Sequence, residues 1–137
     1  MRAFVVDTSV TLAWYLQEEF SPAARAWQER LLGGQVRLLV PSLHYWEFAN
    51  ALRTLTVRQE IEEGAALEIW DLHLDSPLEP AEPERHEVLK AAFAYGATVY
   101  DAVFIALAAA YDVTLLTAER TTTRWVTRLG KRVEIVR

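Results

Sequence analysis

The chain has 137 residues, 52% hydrophobic and 24% charged, with 14 basic against 19 acidic side chains for a net charge of −5. That length is one domain by a prior of roughly 100–200 residues each, so residues 1–137 are read as a single unit, and the composition excludes a disordered or low-complexity chain. Cysteine is absent, which excludes a disulfide scaffold, a thiolate metal site and a cysteine nucleophile.

No apolar run approaches the ~18 residues of a membrane helix, and Asp7 follows the start too closely for a signal peptide. A cytoplasmic protein with no membrane partner is expected. The charge is uneven: residues 113–137 carry Arg120, Arg124, Arg128, Lys131, Arg132 and Arg137 against Glu119 and Glu134, while acids dominate the rest. One basic edge and an acidic site elsewhere fit that asymmetry.

Arg2–Val6 is a short apolar run with β-branched residues, predicting a buried first strand. Val10–Gln17 has helical character. Ser21-Pro22 predicts a helix start, with serine as cap and proline at the first helical position, and Gly33-Gly34 a stop. Arg37–Val40 predicts a second strand closed by Pro41, with Ser42 as the next cap. In the following helix, to Val57, Leu43, Trp46, Ala49, Leu52 and Leu55 recur near a 3.6-residue period and predict the buried face.

A helix is predicted from about Glu60 to His73. Pro77, Pro80 and Pro83 then limit Leu74–Pro83 to an irregular edge strand at most. Glu84–Tyr95 reads as a helix stopped by Gly96, and the apolar Tyr100–Ala110 as a buried one. Val113–Thr117 reads as a strand, Ala118–Leu129 as a helix and Arg132–Val136 as a last strand. Strands separated by helices predict a three-layer α/β/α fold with a mostly parallel sheet of four to five strands. Ligands of such sheets bind beyond the carboxyl ends of the strands, where strand order reverses.

Four acids fall near that edge. Asp7 follows the first strand, Glu47 lies early in the helix after the second, Asp101 opens the buried helix, and Glu119 comes two residues after Thr117. Each also has a plain structural reading. Asp7 suits a helix cap, Thr98 to Asp101 a capping box, and Glu119 the first turn after a Thr117 cap. Glu47 is harder to explain away: Trp46 and Phe48 suggest a helix with little solvent-facing surface, a buried carboxylate requires a partner, and only His44 lies within a turn.

Carboxylates without thiols or paired histidines are hard oxygen ligands, suited to Mg²⁺ or Mn²⁺ rather than Zn²⁺. The chemistry they fit is metal-dependent phosphodiester hydrolysis. Ser9 and Thr117 either orient water or phosphate there or only cap helices. Arg120, Arg124 and Arg128, spaced by four, predict one helix face, either solvated or contacting phosphate. The tryptophans read mostly as core or interface, and His44, His73 and His86 share no ligand spacing.

Phe4-Val5-Val6-Asp7-Thr8-Ser9-Val10 resembles the opening motif of the PIN domain, the nuclease fold of VapC-type toxins. Glu47-Phe48-Ala49-Asn50-Ala51-Leu52 is similar to its second motif, Tyr100 to Ala108 to its third and Leu115 to Arg120 to its fourth. The four occur in family order and cover essentially the whole chain. The resemblance implies a Mg²⁺-dependent endoribonuclease with an RNA substrate, neutralised by a cognate antitoxin and often a homodimer. It makes Asp7, Glu47 and Asp101 the core metal ligands, and Ser9, Asn50 and Thr117 secondary site residues. Glu119 stands where the family more often has aspartate, and its extra methylene bears on whether it touches metal directly.

Two other function classes compete. An aspartyl-phosphate enzyme would use Asp7 as nucleophile, but Asp7-Thr8-Ser9 lacks a second aspartate two residues on, and Lys90 and Lys131 are poorly placed for phosphate. A PIN-like module that binds RNA or protein without cutting would share the fold and lack turnover.

Overall fold

The computed structural model describes residues 1–137. Its chain order is β1 (Arg2–Val6), α1 (Thr8–Leu12), α2 (Ser21–Leu32), β2 (Val36–Val40), α3 (Ser42–Val57), α4 (Glu63–Leu74), β3 (Glu79–Pro80), α5 (Arg85–Tyr95), α6 (Val99–Tyr111), β4 (Thr114–Thr117), α7 (Arg124–Leu129) and β5 (Val133–Ile135). The strands form one five-stranded sheet ordered β3-β2-β1-β4-β5, and every pairing is parallel.

β1 is buried on both faces, and its alternation sorts two cores. Phe4 and Val6 join Leu38, Val40 and Leu116 under Val10, Trp14 and Trp27 from the α1–α2 side. Val5, Leu39 and Leu115 pack under Phe104, Ile105, Leu107, Trp125 and Leu129 from α6 and α7. α5 lies outside α6, where Val88 and Ala92 meet Ala102 and Ala106, alanines that allow close approach. No single helix is long and apolar enough to cross a membrane.

Three predicted starts move. Phe20, not Ser21, is the cap of α2; Ser21 instead donates to the Leu16 carbonyl at 2.8 Å and accepts from the Glu18 N–H at 2.9 Å, closing the preceding turn. Pro41 is the cap of α3, so Ser42 is its first residue. The last helix begins at Arg124 rather than Ala118. Thr121-Thr122-Thr123 is a run of β-branched residues that disfavours helix. Arg120 therefore lies outside α7 and shares no helix face with Arg124 and Arg128.

The buried stripe of α3 also differs from the predicted one. His44, Phe48 and Leu52 point inward, while Trp46 is 67% exposed. A pattern search that scores histidine as polar passes over this stripe. In α4 the single buried residue is again a histidine, His73. The proline-rich edge is as predicted: β3 is two residues long, strapped by Arg37, whose guanidinium donates twice to the Glu79 carboxylate at 2.7 and 2.6 Å.

Candidate active site

β1 lies between β2, reached by the first crossover, and β4, reached after the chain has returned to the other side. Strand order reverses there, which is where a crevice opens in a parallel sheet. A cleft of about 280 Å³ occupies it, lined by Asp7, Thr8, Ser9, Leu12, Glu47, Asp101, Phe104 and Glu119. The four acids thus meet in one cleft although 112 positions of sequence separate the first from the last.

Asp7 leaves β1 with its N–H bonded to the Leu116 carbonyl at 3.0 Å, which ties it to β4. It is also the cap of α1: its carboxylate accepts from the Ser9 N–H at 3.1 Å and from the Ser9 hydroxyl. Ser9 Oγ in turn accepts from the Ala118 N–H at 3.0 Å, joining the two strand ends. Burial pushes the Asp7 carboxyl up to about 7, with the Glu119 charge adding to the rise and hydrogen bonds from Ser9 and Thr117 opposing it.

Glu47 enters from α3, half-buried, and accepts from the Thr8 hydroxyl at 2.9 Å. Burial raises its pKa, against the Thr8 bond and with help from the Asp101 charge. Asp101 sits in the first turn of α6, where its N–H is capped by Thr98 Oγ1 at 3.1 Å. Its carboxyl is raised by burial, with Thr98 and Trp125 acting the other way. The aligned peptides of α6 favour its charged form. Asp7 is thus both helix cap and cleft residue, while Asp101 is a cleft residue in the first turn of a helix that Thr98 caps.

Glu119 lies in a bend rather than a helix, with its N–H donating to Thr117 Oγ1 at 3.1 Å. Asn50 is exposed on α3, one turn beyond Glu47, and is not among the lining residues. Arg124 lies over Gly96, and Arg128 donates to the Ala94 carbonyl at 3.0 Å, so both tie α7 to the end of α5. Arg120 is exposed beside Glu119. No lysine or arginine forms an ion pair with a cleft acid. No three of the carboxylates stand close enough to share one ion as placed.

Sequence reasoning leaves Thr8 without a role, and with it the buried polar residues behind it. Thr8 Oγ1 is 3.2 Å from His44 Nδ1, and His44 Nε2 is 2.8 Å from His73 Nε2. The signal was the unpartnered Glu47; its partner comes from β1's end rather than from its own helix.

The PIN domain family model matches residues 4–124. Ribonuclease VapC3 of Pyrobaculum aerophilum is 34% identical over 124 residues, covering 85% of this chain and 88% of that protein. Several crystal structures share the fold, among them the following three. PAE2754 from Pyrobaculum aerophilum has a TM-score of 0.72 at 23% identity, covering 98% of this chain and 89% of its own. FitAcB from Neisseria gonorrhoeae has 0.64 at 16%, covering 95% of each. VapC20 of Mycobacterium tuberculosis, a sarcin–ricin loop cleaving toxin, has 0.61 at 14%, covering 93% and 95%. The chain belongs to the PIN-domain family, among its VapC ribonucleases.

Proposed function

We propose that the chain is a metal-dependent endoribonuclease that hydrolyses RNA phosphodiester bonds, with Asp7, Glu47, Asp101 and Glu119 holding Mg²⁺, or Mn²⁺ in its place. The observation that carries this reading is the convergence of four carboxylates on one cleft with no cationic side chain paired to them. Such a set is unfavourable by itself, since burial and mutual repulsion raise the pKa values of Asp7 and Glu47. A hard divalent cation relieves both, and oxygen donors alone suit Mg²⁺ or Mn²⁺.

When bound, Mg²⁺ neutralises charge on the phosphoryl group and acidifies water. The chain's own residues supply the rest. Ser9 holds the Asp7 carboxylate against the β4 end, and Thr8 holds that of Glu47. Leu12 and Phe104 give the cleft its apolar wall. Thr117 shapes the bend that presents Glu119, and Arg120, exposed beside it, is in reach of a phosphate at the rim. Arg124, turned onto Gly96, is a weaker candidate for that task.

The VapC relationship supports a cognate antitoxin as partner, a homodimer as the working form and a cytoplasmic setting. An apolar groove between α3 and α4, lined by Leu52, Val57, Ala66, Leu67 and Trp70, suits a helix of such a partner.

The test is cleavage of a folded RNA panel by antitoxin-free protein, with Mg²⁺ or Mn²⁺ against EDTA, beside an Asp101→Asn preparation made identically. Discrete cuts by wild type with metal alone are expected. Cuts that persist in EDTA, or that Asp101→Asn makes equally well, overturn the reading. No cuts, with the metal still raising the melting temperature, point to a PIN module that binds without cutting.

A further inference from the structure

We infer that Tyr15, His73, His44 and Thr8 form a buried one-directional hydrogen-bond relay that positions the Glu47 carboxylate, and that His44 and His73 are locked in opposite tautomers to do so. The members come from α1 and the turn after it, α3 and α4. In order, Tyr15 Oη lies 3.0 Å from His73 Nδ1, the two Nε2 atoms 2.8 Å apart, His44 Nδ1 3.2 Å from Thr8 Oγ1, and Thr8 Oγ1 2.9 Å from Glu47 Oε1. Both rings are fully buried, and Phe48 stacks on His73 with centroids 3.9 Å apart and planes within 8°.

The direction follows from counting protons. Thr8 has one hydroxyl proton, and the geometry directs it to Glu47 Oε1 at 2.9 Å. Its oxygen then faces His44 Nδ1, which must carry the His44 proton. A neutral His44 has none left for Nε2, so His73 must hold its own proton on Nε2. His73 Nδ1 is then bare and accepts from the Tyr15 hydroxyl, whose oxygen is 3.2 Å from Ser76 Oγ and takes its proton.

Every proton is used once, and no buried side-chain polar atom lacks a partner. Neutrality of both rings follows from their setting: a cation in this apolar pocket would be strongly penalised. Burial, with the His73 charge adding to it, holds His44 down to about 3, and burial holds His73 down to about 4.

The relay explains why a histidine stands on the inward stripe of α3 and at the single buried position of α4. A leucine at either position would leave its neighbour unpaired, and Thr8 would be free to turn from Glu47. A fixed donor at 2.9 Å holds the carboxylate in one rotamer before a ligand arrives. The tautomers stand independently of the proposed ribonuclease activity; the consequence for metal uptake rests on that reading of Glu47.

Imidazole nitrogen NMR on the metal-free wild-type protein at pH 7 tests the relay directly. His44 should show a protonated Nδ1 and a bare Nε2, the minor form of free histidine, and His73 the reverse, with a coupling across the two Nε2 atoms. His86, exposed on α5, should average its tautomers and serves as the internal standard. A His44 proton on Nε2, or averaging in either buried ring, overturns the relay.

Mn²⁺ titration then tests the positioning role. Thr8→Val should weaken binding by about tenfold and Thr8→Ser should restore it, the usual scale for groups that orient a ligand. Unchanged affinity in a folded Thr8→Val protein overturns positioning while leaving the nuclease reading intact. Wild-type protein that binds no Mn²⁺ overturns the metal reading and, with it, the positioning role.

Discussion

Asp7 shows how one side chain is shared between folding and a site. It ends β1, caps α1 and faces the cleft, and burial holds its carboxyl up to about 7. Its ordinary value is 3.8. Between about pH 4 and 7 the folded protein therefore keeps on Asp7 a proton that the unfolded chain has released, and the Asp7 contribution to stability falls as pH rises through that window, opposite in sign to that of the buried, neutral His44 and His73. Asp7→Asn removes the titration. The variant should lose RNA cleavage yet be more stable than wild type at pH 8 by roughly 1–4 kcal/mol, since each pKa unit is about 1.4 kcal/mol. The difference should vanish near pH 4. Urea unfolding of both proteins at both values checks it, and an Asp7→Asn stability advantage no larger at pH 8 than at pH 4 would contradict it. An asparagine still offers a cap oxygen to the Ser9 N–H, so α1 should persist.

At the scale of elements, strands and glycine stops were legible because burial and backbone geometry are written locally. Gly96, the stop predicted for α5, adopts φ of +64° as its left-handed cap. What the sequence hid was rotation and onset. The inward faces of α3 and α4 run through His44 and His73, whose burial is stabilised only by partners on other elements. The α7 start depends on three threonines that local apolar spacing does not weigh. Gly96 carries a prediction of its own: an added Cβ would lie 2.3 Å from Arg124 Cδ. Gly96→Ala should cost roughly 1–3 kcal/mol, from a left-handed alanine plus the displaced arginine. In an Arg124→Ala background the cost should shrink to the conformational part alone. Thermal unfolding of the four proteins measures that coupling; strict additivity would remove Arg124 from the account.

Over the whole molecule, the parallel order β3-β2-β1-β4-β5 converts four distant acids into one cleft. That convergence was legible in the sequence, because a parallel sheet puts Asp7 and Glu119, which follow strands, and Glu47 and Asp101, which lie in the first turns of helices, near one carboxyl edge. The companions were not: Thr8 touches Glu47 across two elements, and no spacing along the chain encodes it. Basic charge is also split. Arg2, Lys131 and Arg132 line a groove at the amino ends of the strands, away from the cleft, while Arg120 and Arg137 stay near the carboxyl ends, the latter donating to the Ala118 carbonyl.

On the proposed metal-dependent reading, a molecule of net charge −5 with an uncompensated acidic cleft repels a polyanion until a cation enters, so ion uptake would come first and would compete with protons. At pH 6 Asp7 is largely protonated, and binding Mn²⁺ should expel about one proton; at pH 8.5 it should expel almost none. Apparent affinity should therefore climb by up to about tenfold per pH unit below 7 and level off above it. Calorimetry in buffers of different ionisation heat counts the protons. Asp7→Asn should bind more weakly and release about one proton fewer than wild type at pH 6. A wild-type affinity flat from pH 5.5 to 8.5 would mean that the ion does not meet Asp7 at all.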